Sequence, residues 1–234
     1  MNTGADLIAR SRAARRAVLD ELAGKQLLES FGVAVPKSLM IQGAAEAAAA
    51  CGRLRAPLAL KVVSPDILHK SDAGGVSVGL QSAGEVEAAV RAMMKRPEIE
   101  NTRIDGFLLE EMAPAGQEIV IGALRDPQFG PLVMVGLGGV FVEVLADVSF
   151  RICPITRLDA GEMLDELKGA ALLRGARGHK PVSLAVIVDA LMKIGGEGGL
   201  LMTHAQDFAE VDINPIIVTG NGAVAVDARF VLTP

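Results

Sequence analysis

Apolar side chains recur along the chain with two periods, and each period predicts its own kind of element. Apolar residues spaced three and four apart predict helices over residues 5–31, 44–54, 85–95, 159–167 and 183–193. Apolar runs and alternating segments predict strands over residues 37–41, 57–63, 76–80, 106–112, 118–124, 132–137, 140–145, 208–218 and 223–227. The residues TGNG between the last two strands predict a hairpin turn. Helices and strands interleave without a regular βαβ period, so the pattern predicts an α+β protein with an internal division near residues 125–130.

Composition narrows the class of protein. Half of the 234 residues are hydrophobic and 22% are charged, which is enough apolar material for a packed core and excludes a disordered chain. The longest stretch without charge, residues 127–142, is interrupted by glycine and proline and is too short for a membrane span. The N-terminus has no apolar segment typical of a secretory signal. We therefore expect a soluble, cytoplasmic protein that does not bind a membrane.

Charge and residue types exclude further partners. The net charge is −5, and the chain has no Trp or Tyr, which argues against a basic groove with stacked aromatic rings for nucleic acid. Cys51 and Cys153 have no spacing typical of a zinc site, and reduced thiols are expected. The three histidines are His69, His179 and His204, and histidines in loops are usually surface residues. Imidazole chemistry therefore has few candidates.

Lys61 lies within the apolar strand LALKVV, where a lysine is costly unless its ammonium reaches an anion or water. The simplest interpretation is an edge-strand lysine whose head group extends into solvent. The loop that follows contains Gly74 and Gly75, and consecutive glycines expose amide groups that bind phosphate oxygens beside a lysine. A phosphate site is the alternative interpretation.

Three oxygen-bearing side chains come together near the C-terminus. Asp212 and Asn214 are two residues apart on one strand and share a face, and Asp227 lies across the hairpin. Such hard oxygen groups suit Mg²⁺ that is held together with nucleotide phosphates. Polar residues that simply face solvent are the alternative, although Asp227 lies in an otherwise apolar segment.

Glu110, Glu111 and Glu118 stand where one predicted strand ends and the next begins. They are either solvated residues at the ends of a hairpin or part of a hinge between two lobes that holds a base and a ribose. The residues by themselves do not separate the two interpretations.

Four blocks of sequence occur in the order found in one enzyme family. They are KQLLESFGVAVP (residues 25–36), KVVSPDILHKSDAGGV (61–76), the segment from EEM to CPI (110–155), and EVDINPIIV with AVDAR (210–229). Over about residues 20–232 the chain resembles the ATP-grasp β subunit, or β-type domain, of NDP-forming acyl-CoA synthetases such as ADP-forming acetyl-CoA synthetase. It resembles the β subunit of succinyl-CoA synthetase more distantly.

The resemblance implies an ATP-grasp fold in which two lobes clasp a nucleotide. The implied domains are an N-terminal helical extension (1–23), one lobe (24–125) and a second lobe (126–234). The implied reaction is acyl-CoA + ADP + phosphate ⇌ acid + CoA + ATP, with ATP/ADP and Mg²⁺ as cofactors and a phosphohistidine relay. The sequence has no GxGxxG unit for CoA. We therefore expect an α subunit that carries the CoA site and a swinging phosphohistidine loop, so that this chain is one subunit of a hetero-oligomer.

The resemblance also implies roles for single residues. It makes His69 a phosphoryl relay and Lys61 a ligand of nucleotide phosphate. The other implied positions are the adenine hinge (Glu110, Glu111, Met112, Ala113), the ribose side (Glu118), Mg²⁺ (Asn214, Asp227), the neighbourhood of the incoming phosphohistidine (Asp212), and the phosphoryl-transfer site (Gly138, Gly139, Glu143, Asp147, Arg151). A carboxylate such as Asp212 or Glu143 is suited to orient an imidazole.

Two other functions fit an ATP-grasp chain. A carboxylate–amine ligase would need no His69, and a nucleotide-sensing subunit would bind ATP without transferring phosphate. The acyl-CoA synthetase accounts for more of the motif positions.

Overall fold

The computed structural model describes residues 3–67, 70–139, 146–176 and 181–234. His69, Glu143 and His179 lie outside these ranges, as does the strand predicted over residues 140–145. Within the described ranges, no helix is both long and apolar enough to cross a membrane.

The chain contains both helices and strands. The helices are α1 (Gly4–Ala13), α2 (Glu21–Ser30), α3 (Ala47–Cys51), α4 (Ala83–Met93), α5 (Pro97–Glu100), α6 (Arg157–Glu166), α7 (Ala170–Leu173), α8 (Leu184–Gly195) and α9 (Leu200–Thr203), with a 3₁₀ turn at Ala44–Glu46. The strands are β1 (Ser38–Ile41), β2 (Leu58–Val63), β3 (Val76–Leu80), β4 (Gly106–Glu111), β5 (Gln117–Asp126), β6 (Gly130–Leu137), β7 (Val148–Ile152), β8 (Phe208–Val218), β9 (Ala223–Ala225) and β10 (Arg229–Leu232). The predicted mixture of helices and strands is confirmed.

One compact unit spans Pro36–Ala113 and contains a four-stranded antiparallel sheet. The strand order is β1-β4-β2-β3, so β2 and β4 are the inner strands. Every residue of β2 is buried, which explains its nearly continuous apolar sequence. Its core combines side chains of the sheet with Val86, Val90 and Met93 of α4.

The other compact unit combines Met1–Val35 with Pro114–Pro234. Its six-stranded sheet has the order β10-β8-β5-β6-β7, with β9 paired to β8, and all these pairs are antiparallel. Helices α1, α2, α6 and α8 contribute buried residues to the core on one face of this sheet. This core is therefore formed from both ends of the chain.

The single helix predicted over residues 5–31 is wrong, because the chain forms α1 and α2 separately. Between them, Leu19 donates its amide to Phe230 O at 3.0 Å, and Val18 bridges to Val231. Asp20 then caps α2 by accepting from the Ala23 amide at 2.9 Å. Pairing with β10 thus replaces helical hydrogen bonds in this connection.

The units divide the chain differently from the predicted domain boundaries at residues 23/24 and 125/126. The second of these boundaries falls at the end of β5, and β5 pairs with both β6 and β8. Leu7, Ile8 and Leu19 of the predicted extension belong to the same core as that sheet. Sheet pairing and helix packing therefore place the boundaries between the two units at residues 35/36 and 113/114.

The C-terminal end contains a strand that the pattern did not predict. The strand predicted over residues 223–227 ends at Ala225, and β10 follows at Arg229–Leu232. Both pair with β8. Residues 226–228 therefore lie between two strands, directly beside the middle of β8.

Candidate functional site

Lys61 lies on the inner strand β2, and its side chain is buried. Its Nζ is 2.8 Å from Oε1 of Glu110, which is only 1% exposed. Lys61 pairs with Leu108 and Ala59 with Glu110, so the two charged side chains are diagonal neighbours on adjacent strands. A buried ammonium needs such a partner. Because β2 is not an edge strand, the interpretation of Lys61 as a solvent-directed edge lysine is wrong.

Gly74 and Gly75 have a clear steric role. Gly74 has φ +64°, and a Cβ on Gly75 would lie 2.4 Å from Cγ1 of Val62. Their amides, which the sequence suggests as phosphate donors, bond within the loop: Gly74 donates to Ser71 O at 3.0 Å and Gly75 to Lys70 O at 2.7 Å. The pair therefore holds the end of the loop tightly against β2.

Glu111 and Met112 end the same unit in distinct environments. The Arg55 guanidinium hydrogen-bonds the Glu111 carboxylate at 3.0 and 3.2 Å, and this interaction lowers the pKa of Glu111. Met112 has an exposed side chain, and its amide donates to Pro57 O at 3.0 Å. Ala113 is the last residue of the unit, immediately before the boundary between the two units at residues 113/114.

The structure brings the three oxygen-bearing side chains of the C-terminal region together. Asp212 and Asn214 alternate along β8 with the buried Val211 and Ile213, so both point away from the helix-covered core. The Asn214 amide donates to Asp227 O at 3.1 Å. This hydrogen bond places Asp227 next to Asn214, as the hairpin pattern predicts.

Burial raises the pKa of Asp212 above that of an ordinary aspartate. The guanidinium of Arg229 opposes this shift, while the carboxylates of Glu210 and Asp227 add to it. Arg229 faces Asp212 across the β8–β10 register. Its Nε is buried, and no hydrogen-bond partner for it occurs among the described residues. Arg229 is not among the site residues predicted from the sequence, because its position depends on the unpredicted strand β10.

The oxygen donors fit a hard divalent cation. Among the described residues, no group of three or more His, Cys, Asp and Glu side chains is arranged to enclose a metal. Asn214 and Asp227 offer one amide oxygen and one carboxylate. Such a sparse donor set suits Mg²⁺, which keeps water and phosphate oxygens as its other ligands.

Glu118 is exposed at the start of β5, in the unit that contains Asp212. The Gly138 amide donates to Glu118 O at 2.9 Å. A Cβ on Gly138 would lie 2.8 Å from Cβ of Glu118, and Gly139 has φ +63°. Both glycines are therefore needed for the path of the chain beside Glu118.

Arg151 is not brought together with Asp212. It pairs with Val133, which pairs in turn with Ala123, and this row faces the helix-covered core. The Arg151 guanidinium donates to the Glu166 carboxylate of α6, which lowers the pKa of Glu166 to about 2. Arg151 therefore links strand β7 to helix α6.

Asp147 likewise has an internal role in the structure. It is 3% exposed and accepts the amides of Lys168 and Gly169, each at 2.8 Å. This contact anchors the start of β7 to the turn before α7. The resemblance implies that Asp147 faces the transfer site, whereas in the structure its carboxylate is buried against the Lys168 and Gly169 amides.

His204 is a core residue and not a surface histidine. Its Nδ1 lies 3.0 Å from Oδ2 of Asp207, and its ring makes edge contacts with Phe31 and Phe208. Because His69 and His179 lie outside the described residues, their predicted environments stay predictions.

Comparison with known proteins gives consistent matches. The family described as "ATP-grasp domain" matches residues 10–232. The chain is 41% identical to the β subunit of acetate–CoA ligase (ADP-forming) I from Pyrococcus furiosus, covering 97% of both chains. It is 43% identical to acetate–CoA ligase (ADP-forming) from Methanocaldococcus jannaschii, where it spans only 30% of that longer protein.

Solved structures of a similar protein have the same fold. One match is to dinucleotide-forming acetyl-coenzyme A synthetase 1 from Ca. Korarchaeum cryptofilum, at 40% identity, over 99% of this chain and 100% of that chain. The TM-score is 0.92 for its complex with coenzyme A and Ca-AMPCP. It is 0.84 for the complex with Mg-AMPPCP, in which a phosphohistidine segment points towards the nucleotide-binding site.

Proposed function

Because the chain belongs to the ATP-grasp domain family, we propose that it is the nucleotide-binding β subunit of an ADP-forming acid–CoA ligase. In the direction of ATP synthesis, an oxygen of the ADP β-phosphate attacks the phosphorus of a phosphohistidine. The new P–O bond forms as the P–N bond breaks, and the imidazole nitrogen retains the electron pair. The proton already held on the other ring nitrogen makes the leaving imidazole neutral. The observation that carries this function is the convergence of Asp212, Asn214 and Asp227 on the side of β8 that points away from the helix-covered core.

Lys61 binds a nucleotide phosphate in this proposal, and Glu110 positions it. The 2.8 Å contact and the burial of both groups hold the ammonium in a fixed place before the nucleotide arrives. A preorganised charge of this kind stabilises the transferring phosphoryl group without reorganisation. The segment Glu110 to Ala113 holds the adenine, Glu118 binds on the ribose side, and Gly74 and Gly75 shape the phosphate loop.

Asn214 and Asp227 would hold Mg²⁺. When bound, the cation neutralises negative charge on the phosphate oxygens. The amide and carboxylate oxygens fit this ion, and the complexes of the Korarchaeum protein contain a nucleotide with a divalent metal.

Asp212 orients the histidine that donates or receives the phosphoryl group. Its carboxylate accepts the N–H of the imidazole, which sets the ring orientation and stabilises the protonated ring. Desolvation, the cause of its raised pKa, also strengthens this interaction. His69 is the relay within this chain in our proposal, with Glu143 as a second orienting carboxylate. Arg151 has a supporting role through its contact with Glu166.

A partner supplies the rest of the reaction. The Methanocaldococcus relative contains the matched region as about one third of a longer chain, and the Pyrococcus relative is a separate β subunit. We propose that this chain pairs with an α subunit that binds CoA and carries the phosphohistidine loop, in a hetero-oligomer.

Phosphoryl transfer is tested with the α subunit, magnesium and ATP labelled at the γ-phosphate. A label on this chain that is stable to base and labile to acid is expected, and His69→Ala removes it. Full turnover of His69→Ala would contradict the relay. A nucleotide-induced rise in Tm without any label would favour a sensing subunit, and ADP formation with an amine and no CoA would favour a carboxylate–amine ligase.

Nucleotide binding is tested separately by thermal unfolding with Mg-AMPPCP. A ligand at a hundredfold its Kd stabilises by about 2.7 kcal/mol, which corresponds to a Tm rise of roughly 5–11 °C for a chain of this length. Lys61→Met is expected to abolish the rise, whereas Lys95→Met, at an exposed lysine after α4, retains it. An unchanged rise in Lys61→Met would contradict the phosphate role.

A further inference from the structure

The six-stranded sheet has an apolar face that the core helices do not cover. Side chains alternate along its strands, and Ala123, Val133 and Ser149 point into the helix-covered side. The opposite side presents large apolar residues, which we call the open sheet face: Leu124, Leu132, Met134, Phe150 and Ile152. Leu124 is 45%, Phe150 47% and Ile152 50% exposed.

These residues form two neighbouring rows across three strands. Leu124 pairs with Leu132, which pairs with Ile152. In the next row, Met134 pairs with Phe150 on one side and Gly122 on the other. Cross-strand partners lie close enough for their side chains to touch. The exposed residues therefore form one patch rather than scattered single positions.

A contiguous patch of this kind has a free-energy cost in water. Single exposed apolar residues are common on protein surfaces, but adjacent rows on one sheet face mark an interaction site. Burial of such a patch against another protein removes apolar area from water and stabilises the complex.

The patch is continuous with the candidate phosphoryl-transfer site. The row of Phe150, Met134 and Gly122 continues directly to Asp212 on β8. The second row continues from Leu124 to Glu210. The apolar rows thus run into a charged border, in which Arg229 lies 3.5 Å from Glu210 and opposite Asp212. A body that presents a phosphohistidine to Asp212 approaches this same side of the sheet.

We infer that the open sheet face is the docking surface for the α subunit, an inference that rests on the proposed function. The docked surface is apolar opposite Phe150 and Ile152. Docking here brings the phosphohistidine loop towards Asp212 along the rows. The proximity of this face to Asp212 favours the body that carries the phosphohistidine over a second copy of this chain.

The inference is tested by measuring the affinity of this chain for its α subunit. Phe150→Glu places a charge in the open sheet face, on its edge strand β7, and is expected to weaken the Kd by at least about tenfold, as for a large aromatic residue buried in an interface. Leu158→Glu is the matched control: Leu158 is 71% exposed on α6, which packs on the opposite side of the sheet. It is expected to bind like the unmodified chain.

Two further measurements keep the test independent of folding and of the proposed function. Phe150→Glu is expected to retain the Tm rise with Mg-AMPPCP, because Phe150 lies two strands from β5 and is not one of the proposed nucleotide-binding residues. In the unmodified chain, amide hydrogen exchange over residues 148–152 slows on addition of the α subunit. Loss of the Mg-AMPPCP response in the unmodified chain would overturn the function itself.

Three results would overturn the docking surface while leaving nucleotide binding intact. They are an unchanged Kd for Phe150→Glu, an equal loss for Leu158→Glu, and unaltered exchange over residues 148–152 in the complex. Self-association of the chain that Phe150→Glu abolishes would assign the face to a second copy instead.

Discussion

The buried carboxylate of Asp147 provides a quantitative test of how burial sets the strength of a hydrogen bond. Asp147 is 3% exposed and accepts two backbone amides at 2.8 Å. Hydrogen bonds to a charged group contribute about 1.5–3 kcal/mol each. Asp147→Ala therefore removes at least about 3 kcal/mol, which lowers the Tm by at least about 6 °C in a protein of this size.

Asp126 offers a control with the same bonds in an exposed setting. One oxygen of its carboxylate accepts the Gln128 and Phe129 amides at 2.7 and 2.9 Å, in a turn where water replaces them readily. Asp126→Ala is expected to cost no more than about 1 kcal/mol, or a Tm decrease below about 4 °C. The contrast between the two variants isolates burial, because each loses two amide hydrogen bonds.

The assay is thermal unfolding followed by circular dichroism, with and without Mg-AMPPCP. Asp147→Ala is expected to retain the nucleotide-induced rise in Tm, because its contacts tie β7 to the turn before α7. A Tm decrease equal to that of Asp126→Ala would refute the reasoning from burial. Loss of the Tm rise with Mg-AMPPCP in a folded Asp147→Ala variant would indicate that Asp147 belongs to the phosphoryl-transfer site.

Three other predictions follow from the same structure. The pKa of Glu166 is lowered from 4.5 to about 2, so its charged form stabilises the fold fully above pH 4.5. The Tm difference between the unmodified chain and Glu166→Gln therefore narrows as the pH falls towards 2. A Tm difference that stays constant with pH would contradict the lowered pKa of Glu166. The raised pKa of Asp212 means that folding disfavours its charged form. Asp212→Asn therefore raises the Tm at pH 7, shows no gain in Tm well below pH 3.8, and reduces phosphoryl transfer at pH 7, where the carboxylate is charged. A lower Tm at pH 7 would disprove the direction of the shift. Gly75→Ala places a Cβ 2.4 Å from Val62 and is expected to lower the free energy of unfolding by about 1–3 kcal/mol. Gly84→Ala, with open space in α4, is neutral or stabilising. Urea unfolding measures both variants, and equal stability would contradict the predicted clash.

Lys61 shows how far a sequence pattern extends into the site. A lysine within an apolar run is detectable from the chain alone, and the run was correctly predicted as a strand. Its partner was not identified, because Glu110 is far along the sequence and meets Lys61 only through the β2–β4 register. The inner position of β2 then turns an apparent surface lysine into a buried ion pair.

The first helical pattern shows the opposite limit. Local spacing predicts one helix over residues 5–31, yet residues 17–19 hydrogen-bond or bridge to β10. Local propensity is weak compared with pairing to a strand that arrives from the other end of the chain. The same unpredicted strand places Arg229 opposite Asp212.

By itself, the sequence determined the strands with strong apolar runs, the α+β class and the oxygen cluster of Asp212, Asn214 and Asp227. These features depend on local periodicity and on a short hairpin, which neighbouring residues specify. Only the tertiary structure decided that Lys61 meets Glu110, that Arg151 and Asp147 serve internal contacts, and that apolar rows lead from Phe150 to Asp212. Each of these depends on strand register and sheet order, which arise from the packing of distant segments and not from any local pattern.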